Sequence, residues 1–289
     1  MQNEERVCVS VVVPAYNCKR TIEAAVSSVL AQTYPHFEIL VVDDCSTDGT
    51  ADCLRRLQQQ DPRIKVLRNP VNSGVSFSRN NGVRHASCDW IAFLDGDDLW
   101  KEQKLARQME KVRRQNADIV YTAYDFIGEK DRELDLVFHV PKQVTYRELL
   151  KQNVMSCSGI LLRKSLLETY QMENDTVHED YLEWLRLLRA GAKAVGIDEP
   201  LHTVRVLQEA SKSSNKLRSA VMNYKTYRHL GHWTGDPQLY RSRETVEEWK
   251  RDRDPIKRMR ERLIASGHMK EAELDKIEAE AKAAAEAAA

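Results

Sequence analysis

Short apolar runs recur every 25 to 30 residues through the first hundred positions, each followed by a polar cluster and then a helical pattern. Val7 to Val13 is β-branched and stops at Pro14, Phe37 to Val42 stops at Asp43-Asp44, Ile64 to Leu67 forms a third run, and Trp90 to Leu94 stops at Asp95. Continuous apolar runs of this length suit strands buried on both faces. Between them, Ile22, Ala25, Val26, Val29 and Leu30 repeat at helical spacing, Ser46 to Thr50 is turn and N-cap chemistry leading into a helix through Leu57, and Gly74 to Ala86 reads as a third helix. Alternation of this kind predicts βαβ units and an α/β fold with a Rossmann-like, doubly wound, mostly parallel sheet.

The middle of the chain is less regular. A helix is expected from Lys101 to about Asn116, a strand near Asp118 to Tyr124, a hairpin or loop over Glu129 to Asp135, and short helices at Val144 to Leu150 and Lys164 to Thr169. Asp180 to Arg189 is amphipathic, and Lys193 to Ile197 and Leu201 to Val206 read as two closing strands. From about Arg228 the chain turns charged and helical, ending in an Ala/Glu/Lys low-complexity run. The expected division is a domain over 1–228 and an appended α-helical tail over 229–289.

Lys+Arg and Asp+Glu both number 44, so the formal net charge is zero and nothing draws the chain as a whole to nucleic acid. No apolar run is long enough for a membrane span, and the first six residues lead straight into a strand pattern without a signal peptide. The six cysteines are scattered singly, which predicts packing roles in a reducing compartment. These features point to a cytoplasmic protein, with room for peripheral contact at the inner face of the cell membrane.

Four polar strand ends converge on one rim, where open α/β sheets bind ligands. They are Pro14-Ala15-Tyr16-Asn17, Asp43-Asp44, the start of the third helix at Ser73 to Gly82, and Asp95-Gly96-Asp97-Asp98. Together they offer an aromatic ring for a base, a carboxylate for a base N–H or ribose hydroxyl, and hard oxygen ligands for a cation on a diphosphate. Taken alone, the acidic triplet also reads as a turn capping the helix near Lys101. Neither a Gly-x-Gly-x-x-Gly nor a Gly-Lys-Ser/Thr loop follows the first strand, which argues against dinucleotide oxidoreductases and P-loop ATPases.

Val-Val-Val-Pro-Ala-Tyr-Asn, Val-Val-Asp-Asp-Cys-Ser-Thr-Asp-Gly-Thr, Gly-Val-Ser-Phe-Ser-Arg-Asn-Asn-Gly and Phe-Leu-Asp-Gly-Asp-Asp, in this order, resemble the family 2 glycosyltransferases of GT-A fold over roughly residues 6 to 227. The resemblance is closest to the bacterial enzymes that build lipopolysaccharide, capsule and other surface glycans. It implies that Pro14, Tyr16 and Asp44 bind the nucleobase end of a UDP-sugar donor, with Arg79 and Asp95 also on the donor. It implies that Asp97, with Asp95, ligates Mn²⁺ or Mg²⁺. In Val177-His178-Glu179-Asp180-Tyr181 it implies Asp180 as general base on the acceptor hydroxyl, supported by Glu179; helix N-terminal carboxylates that merely complement the helix dipole are the other reading. Arg205 and Lys212 stand where they can neutralise the diphosphate or be surface charges, and Leu207 stands where some members carry a histidine. Trp90, Trp100, Trp184 and Cys157 read as mainly structural.

Residues from about 225 to 289, including Gly231-His232-Trp233 and Arg253-Asp254-Pro255-Ile256, resemble instead the C-terminal part of the alpha subunit of thiamine-diphosphate-dependent 2-oxo acid dehydrogenases. The thiamine-site motif is missing, so the chain reads as a join of two families, with apolar positions in the tail able to pair with a second copy. The expected function is metal-dependent, inverting sugar transfer from a nucleotide sugar to a glycan or lipid-linked acceptor. A non-catalytic nucleotide-sugar-binding scaffold with an oligomerising tail is the alternative. A nucleotidyltransferase ranks last, because Pro14 to Arg20 lacks a glycine-rich loop.

Overall fold

The computed structural model describes residues 7–128, 131–173 and 178–206, with residues 226, 260–261, 264–265, 270–276 and 279. The chain divides into two compact units: Met1–Asp175 with Glu183–Gln208, and Thr176–Leu182 with Glu209–Ala289.

The first unit is built on one nine-stranded sheet. Its parallel half consists of β1 (Val9–Ala15), β2 (Phe37–Asp43), β3 (Ile64–Arg68) and β4 (Trp90–Phe93), in the order β3-β2-β1-β4. Every residue of β1 and β2 is buried, because helices cover both faces and leave no polar side to alternate with. The crossovers are α1 (Ile22–Leu30), α2 (Thr50–Gln60) and α3 (Val75–His85). Helix α3 packs on β1 and β2 so closely that a Cβ added at Gly82 would lie 2.4 Å from Val12 Cγ1.

Beyond β4 the sheet changes direction. Strand β8 (Leu161–Arg163) runs antiparallel to both β4 and β6 (Ile119–Ile127). Strand β9 (Ala194–Arg205) runs parallel to β6, β5 (Leu99–Trp100) pairs antiparallel with β9, and β7 (Glu133–Phe138) forms a hairpin with β6. The two closing strands expected from the sequence are therefore one. Pro200, which cannot donate to the ladder, sits where the β6–β9 register shifts, so the strand passes it without ending. Strands β5 and β8 have two and three residues, too few to leave a periodicity. Because Leu99–Trp100 is a strand, the next helix, α4, spans Lys104–Gln115 rather than starting at Lys101. The short helices α5 (Tyr146–Leu149) and α6 (Lys164–Thr169) lie where expected.

Trp90, Trp100 and Trp184 are buried, and Cys157 with them. One cysteine expectation fails: Cys8 and Cys88 are disulfide-bonded, with Cα atoms 5.1 Å apart. The parallel pairing of Val9 with Trp90 brings the two preceding segments side by side, a proximity that the spacing of 80 residues hides.

In the second unit, α7 (Glu179–Arg189) begins, the His178 N–H donates to Thr226 Oγ1 at 3.2 Å, and residues 271–276 are helical with Leu274 buried. Ile264, also helical, is exposed. Leu207, Lys212, His232, Ile256, Met259 and Leu263 lie outside the described residues.

Candidate active site

Strands β1, β2 and β4 run parallel and deliver their C-terminal ends to one rim. The Asp44 N–H donates to Ala15 O at 2.8 Å, which sets Tyr16 and Asp44 on adjacent strand ends. Tyr16 is 51% exposed, an aromatic face held open to solvent at the rim. Asn17 and Cys45 take positive φ, of 47° and 61°, where each strand turns into its loop. The two loops are bonded together: Asn17 N donates to Ser46 Oγ at 3.0 Å, and Thr47 N to Asn17 Oδ1 at 2.8 Å.

The Asp44 carboxylate is buried and organises the approach to α3. Its Oδ1 accepts from Asn69 Nδ2 at 2.7 Å and Ser73 N at 2.9 Å, and its Oδ2 accepts from Gly74 N at 2.8 Å. A carboxylate has about four acceptor positions, so three protein donors leave one on Oδ2. Arg79, one turn into α3, is buried and forms an ion pair with Asp95 at 2.6 Å. The sequence reading put both residues on a donor, and the structure joins them to each other.

After β4, Asp95-Gly96-Asp97-Asp98 forms a turn closed by Asp98 N to Asp95 O at 3.0 Å. Gly96 is pressed against the end of β1: a Cβ there would meet Pro14 O at 3.1 Å and Cys18 Sγ at 3.2 Å. Thr21 Oγ1 also donates to Gly96 O at 2.8 Å. Burial, and then the neighbouring Asp95 charge, push the Asp97 carboxyl up to about 6. Asp97, with Asp95 two residues before it, offers hard oxygen donors in a crowded acidic turn, and they fit a small divalent cation. Among the described residues no group of three or more His, Cys, Asp or Glu converges as a metal cage.

Asp98 overturns the cap reading. Helix α4 starts six residues later, and its N-cap, Gln103, makes no side-chain cap bond. The Asp98 carboxylate is instead buried, accepting from Ser158 Oγ at 2.6 Å and Arg205 N at 3.0 Å. Burial and the charges of Asp97 and Asp95 drive its carboxyl well above the usual range. Arg205 closes the turn from the end of β9: its Nε donates to Asp97 O at 2.9 Å, and its guanidinium also pairs with Asp131. Ser158 was missed from sequence. It lies in a 3-10 turn (Cys157–Gly159) just before β8, 63 residues from Asp95, and no local pattern marks it.

Glu179 and Asp180 open α7 in the second unit, where Asp180 Oδ1 accepts from Tyr181 N at 2.7 Å. Glu183, further along α7, is fully buried, and neither of its carboxylate oxygens has a hydrogen-bond partner. Burial pushes its carboxyl up to about 8.

The sequence profile of glycosyl transferase family 2 matches residues 10–170, and that of the dehydrogenase E1 component matches residues 196–289. The chain is 37% identical over 222 residues to the putative teichuronic acid biosynthesis glycosyltransferase TuaG of Bacillus subtilis (strain 168), covering 77% of this chain and 88% of the relative. It is 36% identical over 212 residues to WfgD of Escherichia coli, a UDP-Glc:alpha-D-GlcNAc-diphosphoundecaprenol beta-1,3-glucosyltransferase, covering 73% and 81%. Among solved structures, S. aureus TarS 1–349 in complex with UDP-GlcNAc superimposes with TM-score 0.64 at 22% identity, over 78% of this chain and 65% of that one. The mannosyltransferase PcManGT from Pyrobaculum calidifontis, in complex with GDP-Man and Mn²⁺, superimposes with TM-score 0.63 at 19% identity, over 98% and 81%. Both likenesses show the GT-A fold.

Proposed function

Given that this chain belongs to the family 2 glycosyltransferases, we propose that it transfers a sugar from a UDP-sugar to a hydroxyl of a lipid-linked glycan in surface-polysaccharide synthesis. The observation that carries this reading is the Asp95–Asp98 turn, packed on the end of β1 and facing the rim that Tyr16 and Asp44 share. Tyr16 offers its ring to the uracil, and the remaining acceptor position on Asp44 suits a base N–H. Pro14, opposite Val42 of β2, leads β1 into Tyr16 and contributes to the nucleobase end of the site. Asp97 and Asp95 hold Mn²⁺ or Mg²⁺ on the diphosphate, where a Lewis acid stabilises the departing nucleotide. Arg79 neutralises and orients Asp95. Asp180 takes the proton of the acceptor hydroxyl in a single inverting displacement, and Glu179 supports it. The relatives named for undecaprenol-linked acceptors support a lipid-linked substrate and hence a place at the inner face of the membrane. No helix among the described residues is long and apolar enough to cross a membrane. Residues 229–289 form a tail of separate origin in this reading; the dehydrogenase profile spans them but begins earlier, at residue 196 within β9.

The test is a donor panel of UDP-, GDP- and dTDP-sugars with Mn²⁺ or EDTA, on the protein and on its Asp180→Asn variant. Transfer from a UDP-sugar, lost in EDTA and lost in Asp180→Asn while UDP still binds, is the expected result. Equal turnover in EDTA removes the cation, and retained transfer in Asp180→Asn removes the base.

A further inference from the structure

We infer that Ser158 and Asp98 act as the positioning pair that sets the cation-binding geometry of the Asp95–Asp97 turn. The inference rests on the metal–nucleotide reading above and deepens it. Ser158 is 1% exposed, and its hydroxyl is used on both sides: Oγ accepts from Asp95 N at 3.1 Å and donates to Asp98 Oδ2 at 2.6 Å. One side chain therefore grips both ends of the four-residue turn that carries Asp95 and Asp97. The other grip is Arg205, through its N–H to Asp98 Oδ1 at 3.0 Å and its Nε to Asp97 O at 2.9 Å. Asp98 receives one bond from each grip and couples them.

The post that carries Ser158 is itself rigid. Trp100 Nε1 donates to Ser158 O at 2.8 Å, and Gln108 Nε2 donates to Gly159 O at 2.9 Å. His202 lies so close that a Cβ on Gly159 would meet its Cε1 at 2.5 Å, which forbids any larger residue there. His202 is held in turn by Thr122 Oγ1 at 2.9 Å and Ser156 Oγ at 3.2 Å. Burying a carboxylate beside two others is a poor way to stabilise a turn, since an apolar or amide side chain of similar size would avoid the desolvation. It is a good way to fix where two neighbouring ligands point, because partners of metal ligands set their orientation and basicity.

The experiment follows Mn²⁺ by its paramagnetic resonance signal, with UDP added, in the full chain and in Ser158→Ala, Asp98→Asn and Asp98→Ala; UDP binding in EDTA and the melting temperature are recorded for each. Ser158→Ala is expected to weaken Mn²⁺ binding about 10- to 100-fold, leaving UDP binding in EDTA unchanged. In Asp98→Asn the amide oxygen can accept from Arg205 N and the amide N–H can donate to Ser158 Oγ. This variant is expected to keep Mn²⁺ affinity within about threefold, while Asp98→Ala loses it as Ser158→Ala does. Unchanged Mn²⁺ affinity in Ser158→Ala, with only the melting temperature lowered, overturns the positioning role. Equal losses in Asp98→Asn and Asp98→Ala overturn it too, in favour of simple charge attraction. Wild-type UDP binding that is indifferent to Mn²⁺ sinks the metal reading itself, and this inference with it.

Discussion

Asp97 carries a conflict between stability and binding. Its carboxyl is held at about 6 by burial and by Asp95, against an ordinary value of 3.8. The unfolded chain therefore releases this proton first as pH rises, and stability falls between about pH 4 and 6. Asp97→Asn is expected to raise the unfolding free energy at pH 7 by about 1–3 kcal/mol, with the gain gone below pH 4, while Mn²⁺ binding is lost. Urea denaturation across that range, without metal, reads the first effect, and Mn²⁺ titration reads the second. Glu183 has the same sign over a wider window. Folded, its carboxyl is pushed to about 8 from 4.5, so stability declines as pH rises from about 4.5 to 8. Glu183→Gln is expected to gain about 2–4 kcal/mol at pH 8 and nothing at pH 4, seen as a melting curve that no longer drops over this interval. His202 has the opposite sign. Burial holds its imidazole well below 6.5, so the neutral ring favours the fold above that pH, and stability is lost as pH falls through the unfolded value.

At the level of elements, the contact between α3 and β1 is set by an absent side chain. Gly82→Ala improves helix propensity by up to about 1 kcal/mol, yet the new methyl would lie 2.4 Å from Val12 Cγ1. The clash is expected to win, for a net loss of about 1–3 kcal/mol by chemical denaturation. Arg79 sits on this helix, so the same substitution should also disturb its pair with Asp95. Most elements could be read in advance, from continuous apolar runs (β1 to β4) or from helical patterning and cap chemistry (α1 to α7). Periodicity cannot see a strand such as β8, which exists because β4 and β6 each offer it an edge. The rim carboxylates Asp44 and Asp95 stood out because each follows an apolar strand run. Ser158 was not, since its role is defined by a residue 63 positions away, and the cap reading of Asp98 failed for the same lack of long-range partners.

For the molecule as a whole, the bond between Cys8 and Cys88 closes a loop of 80 residues that includes β1, β2, β3 and the helices between them. Disulfides typically stabilise by about 2–4 kcal/mol, and more for longer loops. Cys88→Ser is expected to lower the melting temperature in oxidising buffer and to leave it unchanged in excess dithiothreitol. Beyond β4, the reversal of direction at β8 has another effect. Because β8 runs against β4, the chain reaches the rim at Ser158 before it enters the sheet. Everything between Phe138 and Ser156 is bracketed by the β6–β7 hairpin on one side and this anchored turn on the other. That interval is itself tied to the sheet: Tyr121 Oη donates to Pro141 O at 2.9 Å, Gly196 N donates to Lys142 O at 2.9 Å, and Gln143 bridges Val195. The post under the carboxylates is thus braced at both of its ends, by the ladder it enters and by the segment that leads into it.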